Sequence, residues 1–307
     1  MSAISPVQAG AALSVSTAQN FQAVFDAIVK EVPPSHFFPP ANIRMLLDKY
    51  NEAELALIYQ DFCELKEETF RDVSKALDYV VTAGGPGSGK STVLETLIQN
   101  GECPDATYDK TLKRAYIDTD RSCLLRMNHT YRADLESGTR TPQEAYEQWQ
   151  KASQFLANVY LAIALKEGCA IAHGSTMAIP PAMNALSAMK NHYGYHTTLL
   201  HISCDEEVRK QSEVNRRAGG VVQCSDEDFV KKNDMFYTML ELYLTVPDKV
   251  VFSYRDKLYH SEWAAKAEKG CLEIYDAKAF DAICQAHDSR EGEARGSALF
   301  NGLTLKK

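Results

Sequence analysis

Tyr79-Val80-Val81-Thr82-Ala83-Gly84-Gly85-Pro86-Gly87-Ser88-Gly89-Lys90-Ser91 is the stretch that decides the fold. Its first five residues form a short apolar run with β-branched members, the pattern of a buried strand. Its last eight satisfy G-x-x-x-x-G-K-[ST], and Thr92–Gln99 then reads as a helix. Strand, glycine-rich turn and helix together are the context this motif requires. The glycines let backbone N–H groups turn inward around phosphate oxygens, and the following helix points its positive end at the same anion. Gly84, Gly85, Pro86, Gly87, Ser88, Gly89, Lys90, Ser91 and Thr92 are therefore expected to bind a nucleoside triphosphate. Lys90 is expected to reach the β- and γ-phosphates, and the Ser91 hydroxyl to hold Mg²⁺.

Working outward, similar short apolar runs occur at Ala115-Tyr116-Ile117, Cys169–Ala172, Thr198–Ile202, Lys249–Phe252 and Leu272–Tyr275. Helical stretches separate most of them. Thr141-Pro142-Gln143-Glu144 combines a cap, an N1 proline and an N3 glutamate, so a helix should run from there to Lys166. Strands alternating with helices predict an α/β fold of the P-loop kinase kind, a mostly parallel sheet with helices on both faces.

Ahead of it, Phe21, Val24, Phe25 and Ile28 form a helical stripe, Pro39-Pro40 opens a second helix, and Asn51 with Glu54 marks a capping box for a third running to about Ala76. The expected organisation is a disordered leader over 1–16, a small helical unit over 17–76, the P-loop domain over 77–288 and a mobile charged tail over 289–307.

The bulk numbers exclude several classes. The 307 residues carry a net charge of −8, which leaves no global basic field for nucleic acid or anionic membrane. The eight cysteines are scattered without a C-x-x-C pair, which suits a reducing cytoplasm and neither a disulfide scaffold nor a structural zinc site. No run of about 18 apolar residues is present, so no transmembrane helix is expected. The small, polar first twenty residues have no Sec-type signal, though they fit a leader read by a specialised bacterial secretion system.

P-loops serve kinases, GTPases, motors and switches, so the motif alone fixes no activity. There is no N-K-x-D-like guanine signal and no strong apolar strand ending in Asp-Glu. Small-molecule kinase is the class that remains. The strand at 115–117 runs into Asp118-Thr119-Asp120-Arg121, at the end of a parallel sheet where ligands bind. One carboxylate there can take a proton from a substrate hydroxyl and the other can organise Mg²⁺ or its waters. A plain N-cap with a first-turn charge is the structural alternative.

The P-loop followed after one crossover by Ile117-Asp118-Thr119-Asp120 resembles the zeta-toxin family of P-loop kinases over roughly residues 75–255. The resemblance implies ATP- and Mg²⁺-dependent phosphorylation of a hydroxyl on a nucleotide-linked metabolite. UDP-N-acetylglucosamine is the prototype's substrate, and NAD is that of a branch of secreted bacterial effectors. It implies toxicity to the cell itself or to a target cell. It also implies a protein antitoxin or chaperone that blocks the ATP site. Asp120 becomes the candidate base and Asp118 a substrate-binding residue.

The family's strand ending E-G-T is matched by His173-Gly174-Ser175-Thr176, so His173, Ser175 and Thr176 are the candidate acceptor-binding residues. His173 stands where the family has an acid, and an imidazole cannot simply replace a carboxylate that accepts from two hydroxyls. It is expected to donate to a phosphate or stack on a ring, unless it is only a histidine satisfied at a strand end. The lid run Cys204–Gly220 places Arg216 and Arg217 as the cations for the transferred phosphoryl, with Arg209 two turns earlier. The family's second arginine near Gly220 is replaced by Val221-Val222-Gln223. Lys231 and Lys232 could line an anionic site but read as a solvated face, and Trp149, Tyr146 and Phe155 read as core and groove wall. Two other readings stand beside the kinase: a nucleotide-binding adaptor without transfer chemistry, and a polynucleotide 5′-kinase, which the acidic charge disfavours.

Overall fold

The computed structural model describes residues 48–306 apart from 102, 106–107, 219–225, 259 and 292–294, together with the isolated positions 23 and 26. The expected leader over 1–16 and nearly all of the first two helices fall outside the described residues, as do Val221-Val222-Gln223. The first element described in full, α1 (Glu52–Phe70), opens with the foreseen capping box: Asn51 Oδ1 accepts from Glu54 N at 2.9 Å, and Glu54 Oε2 accepts from Asn51 N at 3.0 Å. It stops at Phe70, short of the expected Ala76, because Arg71 turns extended and Asp72 adopts a positive φ of 58°. The chain then runs beside the sheet, with Lys75 bridging to Cys169.

β1 (Asp78–Ala83), α2 (Lys90–Asn100), β2 (Ala115–Asp118), β3 (Ile171–Gly174), β4 (His196–Cys204) and β5 (Lys249–Lys257) form the parallel part of the sheet and its first crossover, with the strands in spatial order β2-β3-β1-β4-β5. The later crossovers carry α3 (Tyr131–Ser137), α4 (Pro142–Lys166), α5 (Pro180–Asn191) and α6 (Glu206–Ala218). α7 (Asp226–Tyr237) and α8 (Leu240–Thr245) complete the return to β5. The helix from Pro142 to Lys166 has both the cap and the boundaries expected of it.

Beyond β5 the sheet continues as an antiparallel meander, β6 (His260–Glu268) and β7 (Cys271–Ile274). The meander is followed by α9 (Ala277–Glu291), α10 (Arg295–Asn301) and a short β8 (Thr304–Leu305), which pairs with β7 in parallel. Residues 295–305 are thus part of the fold, in contrast to the mobile tail expected there. Phe300 is buried against Phe252 and Phe280, and an aromatic anchor of this kind outweighs the charge of the preceding stretch.

The sheet is covered on both faces, unequally. One face packs Val80, Leu200, Ile202 and Val251 under Val93, Leu94 and Leu97 of α2. The other carries the main core, with α1, α4, α5, α8 and α9 over Tyr79, Val81, Ile117, Leu199 and Phe252. α1 belongs to that core: Phe62 stacks on Tyr160 of α4 with centroids 5.8 Å apart, Tyr50 stacks on Trp149 at 5.5 Å, and Tyr160 Oη donates to Phe62 O at 2.9 Å. Trp149 and Phe155 are buried, as core residues should be. Asp61 of α1, also fully buried, accepts from His129 N at 2.9 Å and Thr130 Oγ1 at 2.6 Å, so α1 braces the segment that follows β2.

Candidate functional site

β1 leads directly into the glycine-rich turn. Gly87 (φ 80°) and Gly89 (φ 92°) occupy the left-handed region that side chains disfavour. Gly89 is the N-cap of α2, so no capping side chain takes the first N–H groups of that helix. Ser88 N donates to Gly85 O at 3.2 Å to close the turn, and Lys90 Nζ donates to the same carbonyl at 2.8 Å. The Ser88 hydroxyl is buried with no hydrogen-bond partner among the described residues, an orphan that a phosphate oxygen would satisfy. These features suit a triphosphate.

Asp118 ends β2 and caps the π-helical turn Thr119–Cys123: its Oδ1 accepts from Asp120 N at 2.8 Å and Arg121 N at 2.7 Å. Its Oδ2 stands 3.5 Å from the Ser91 hydroxyl. The carboxylate lies there because Gly174 is its register partner on β3; a Cβ on Gly174 would come within 1.9 Å of Asp118 Oδ2. Asp118 was expected to bind the acceptor or to organise Mg²⁺, and this geometry sets it beside the hydroxyl assigned to the metal. Both groups are hard oxygen donors that suit Mg²⁺, which takes few protein ligands beside substrate phosphates. Among the described residues no cluster of three or more His, Cys, Asp or Glu forms a separate metal site.

Asp120 follows in the first turn, half-buried. Burial and the neighbouring Asp118 charge raise its pKa to about 6, against the opposing pull of Arg216, Lys90 and Lys232. A carboxylate poised there is ionised at neutral pH yet basic enough to take a proton. Arg216 and Lys90 are thus among the charges that act on Asp120.

Arg217 is elsewhere. It lies on the exposed side of α6 with its Nε 3.2 Å from Glu213 Oε1, one helical turn back. Arg209 is buried and structural: it donates to Pro86 O at 3.3 Å and Phe229 O at 3.2 Å, pairs with both oxygens of Glu206, and lies 3.8 Å from the Phe229 ring centroid.

His173 sits on β3 between Val81 of β1 and Ile117 of β2. Burial lowers its pKa to about 4, so the ring is neutral near pH 7. Burial holds the Tyr79 phenol protonated, and its Oη lies 2.5 Å from His173 Nδ1. Where the phenol donates to Nδ1, the ring proton is on Nε2, and His173 offers a neutral N–H donor where an acid would offer an acceptor. Ser175 and Thr176 join the end of β3 to the phosphate loop. Ser175 N donates to Thr82 Oγ1 at 2.9 Å, Met177 N donates to Ser175 Oγ at 3.3 Å, and Gly84 N donates to Thr176 O at 3.2 Å. Beside the loop a cavity of about 230 Å³ is lined by Gly89, Thr92 and Thr96 on one side and Arg255, His260 and Trp263 on the other.

A family model described as an AAA domain matches residues 80–232, from within β1 to Lys232 of α7. The structure of the AvrRxo1-ORF1:-ORF2 complex contains a chain that superposes with a TM-score of 0.53 at 10% identity, over 83% of this chain and 86% of the other. A chain of the PezAT chromosomal toxin–antitoxin system of Streptococcus pneumoniae superposes with a TM-score of 0.50 at 14% identity, over 83% and 97%. This chain carries the zeta-toxin-like P-loop kinase fold. A second AvrRxo1-ORF1:-ORF2 structure, with ATP, superposes with a TM-score of 0.51 at 9% identity, over 83% and 86%. Comparison with curated protein sequences gives no match.

Within this zeta-toxin-like fold, three residues near the phosphate loop were not foreseen as part of the site. Arg255 of β5 donates to Gly87 O at 3.3 Å and leaves so little room that a Cβ on Gly89 would lie 3.0 Å from its Nη1. Asn233 of α7 is buried over Gly85. Lys232, read as a solvated charge, is half-buried and acts on Asp120. The available signal was helical phase: Phe229, Lys232, Asn233 and Phe236 fall on one face. No helix among the described residues is long and apolar enough to cross a membrane.

Proposed function

We propose that the protein is an ATP- and Mg²⁺-dependent kinase that transfers the γ-phosphoryl group to a hydroxyl of a nucleotide-linked metabolite such as NAD or UDP-N-acetylglucosamine. The observation that carries this reading is Asp120, a carboxylate with its pKa raised to about 6 and with Lys90 and Arg216 acting on it, at the mouth of the phosphate loop. Lys90 and the loop N–H groups hold the β- and γ-phosphates, and the nucleoside occupies the cavity between Thr92 and Trp263. Ser91 and Asp118 would hold Mg²⁺, which supplies neutralisation of phosphate charge.

Asp120 orients the acceptor hydroxyl and takes its proton as the oxygen bonds to the γ-phosphorus. The bond from that phosphorus to the β,γ-bridging oxygen breaks, and ADP leaves with the electron pair. Arg216 stabilises the charge on the phosphoryl oxygens in flight. His173 Nε2–H donates to the acceptor, which favours an acceptor carrying its own phosphate or carbonyl oxygens over a bare sugar diol. Depletion of such a metabolite would make the protein toxic, and a partner that covers the ATP site would be its antidote. In support, one similar structure is a complex of two proteins and another belongs to a toxin–antitoxin system.

The test is untargeted mass spectrometry of cells expressing the wild type or Lys90→Ala, followed by assay of purified protein with ATP and the metabolite that disappears. A metabolite gaining one phosphoryl group with the wild type alone supports the kinase. ATP binding with no phosphorylated product supports a nucleotide-dependent adaptor instead, a reading favoured by the replacement of the family's acid by His173.

A further inference from the structure

We propose that Lys232 is a catalytic cation of this site, reaching from α7 to the phosphoryl group in transit and sharing that task with Arg216 of α6. The inference rests on the kinase reading above and adds a residue to it. Phe229, Lys232, Asn233 and Phe236 follow the i, i+3, i+4, i+7 spacing of one helix face. Three of these four are fixed by contacts. Phe229 is buried under the Arg209 guanidinium, and a Cβ on Gly87 would lie 3.3 Å from its ring. Asn233 is 2% exposed, and its Oδ1 would lie 2.2 Å from a Cβ on Gly85. Phe236 is locked in the core against His201 and Tyr243.

Two residues of the face therefore press on two glycines of the phosphate loop, and Lys232 lies between them on the same face. It is half-buried, whereas Lys231 beside it is exposed. Its charge is one of those that act on Asp120, with Arg216 and Lys90. Lys90, Arg216 and Lys232 belong to three separate elements, α2, α6 and α7. The run 221–223 carries no arginine, so the next cation past α6 on an inward helix face is Lys232. An ammonium on a flexible stem, with three donors, can follow equatorial oxygens as the phosphorus moves from the bridging oxygen to the acceptor.

The test is equilibrium binding of Mg·ADP, and of Mg·ADP with aluminium fluoride as a mimic of the phosphoryl in transit. It is applied to the wild type, Lys232→Ala, Lys232→Arg and Lys231→Ala, with thermal melting to confirm that each is folded. The wild type is expected to bind the fluoride complex more tightly than ADP. Lys232→Ala should lose about 10²-fold of that preference while its ADP affinity stays within about two-fold. Lys232→Arg should keep most of the preference, and Lys231→Ala all of it. A wild type with no preference overturns the kinase reading itself. A full preference in Lys232→Ala, or an equal loss in Lys231→Ala, overturns the assignment to Lys232 and leaves the kinase reading standing.

Discussion

Replacing Asp120 with asparagine should abolish phosphotransfer and stabilise the protein. The carboxylate titrates at about 6 in the fold against an ordinary 3.8, because burial and Asp118 oppose its charge more strongly than Arg216, Lys90 and Lys232 support it. Its folded-state pKa is raised, so the associated stability is full below about pH 4 and is lost as pH rises through 6. At about 1.4 kcal/mol per pH unit, the ionised group costs the fold up to about 3 kcal/mol at pH 8. Its remaining solvent contact lowers that figure. An asparagine side chain is nearly isosteric with aspartate and carries no charge, so Asp120→Asn should recover most of it. A gain of about 2–3 kcal/mol is on the order of a 5–10 °C rise in Tm for a domain of this size. Urea denaturation of both proteins at pH 8 and pH 4 reads the effect, with a gain expected at pH 8 and almost none at pH 4. Transfer should fall by about 10²–10⁴-fold, the usual worth of a general base. A variant no more stable than the wild type at pH 8, or equally stabilised at both pH values, would refute the electrostatic account of Asp120.

Three further outcomes are expected. Gly85→Ala should weaken ATP binding by about tenfold or more, since the new methyl would meet Asn233 at 2.2 Å, and the double variant with Asn233→Gly should recover much of the loss in a nucleotide titration. Arg209→Lys should destabilise the fold by about 2–3 kcal/mol, and Arg217→Ala, which takes a partner from the buried Glu213 carboxylate, by about 1–2 kcal/mol while transfer proceeds normally. His201 and His287, a buried neutral pair with Nε2 atoms 3.1 Å apart, have pKa values lowered by burial, that of His287 to about 4. Their contribution is present above pH 6.5 and lost as pH falls through 4. His287→Asn should therefore weaken the fold at pH 7 but flatten its acid limb in urea melts.

The parts of this site that the sequence announces are those whose requirements are local. A phosphate loop needs particular backbone angles at neighbouring residues, so Gly84–Ser91 can be read without knowing what surrounds it. The caps at Asn51 and Thr141 are equally local, and both formed as expected. Asp118 and Asp120 were legible as a pair, but the approach of Asp118 Oδ2 to Ser91 was not, because it depends on Gly174 clearing space from a strand more than fifty residues away.

The choice between Arg216 and Arg217 was readable in principle. Arg209, Glu213 and Arg216 share a helix face that turns inward, which leaves Arg217 outside. Lys232 was hidden because its setting arises only when α7 crosses the loop. Of the meander, the run Leu272–Tyr275 announces β7, whereas β6 mixes charged and polar residues with Trp263 and alanines, and no β-branched apolar run marks it. The tail was misjudged on the charges of 289–296, when Phe300 just beyond them decides its place.

The anchoring of α6 has a mechanical consequence. Arg209 clamps the first part of this helix to Pro86 and to α7, and Arg255 Nη1 spans Gly87 O and Ser212 Oγ (3.5 Å) a turn later. The root of the lid is thus bolted to the nucleotide cradle, and the junction between β4 and α6 cannot serve as a hinge. Any opening must pivot beyond Ser212. Such a pivot would leave only a short lever to bear Arg216, while the cradle keeps its shape.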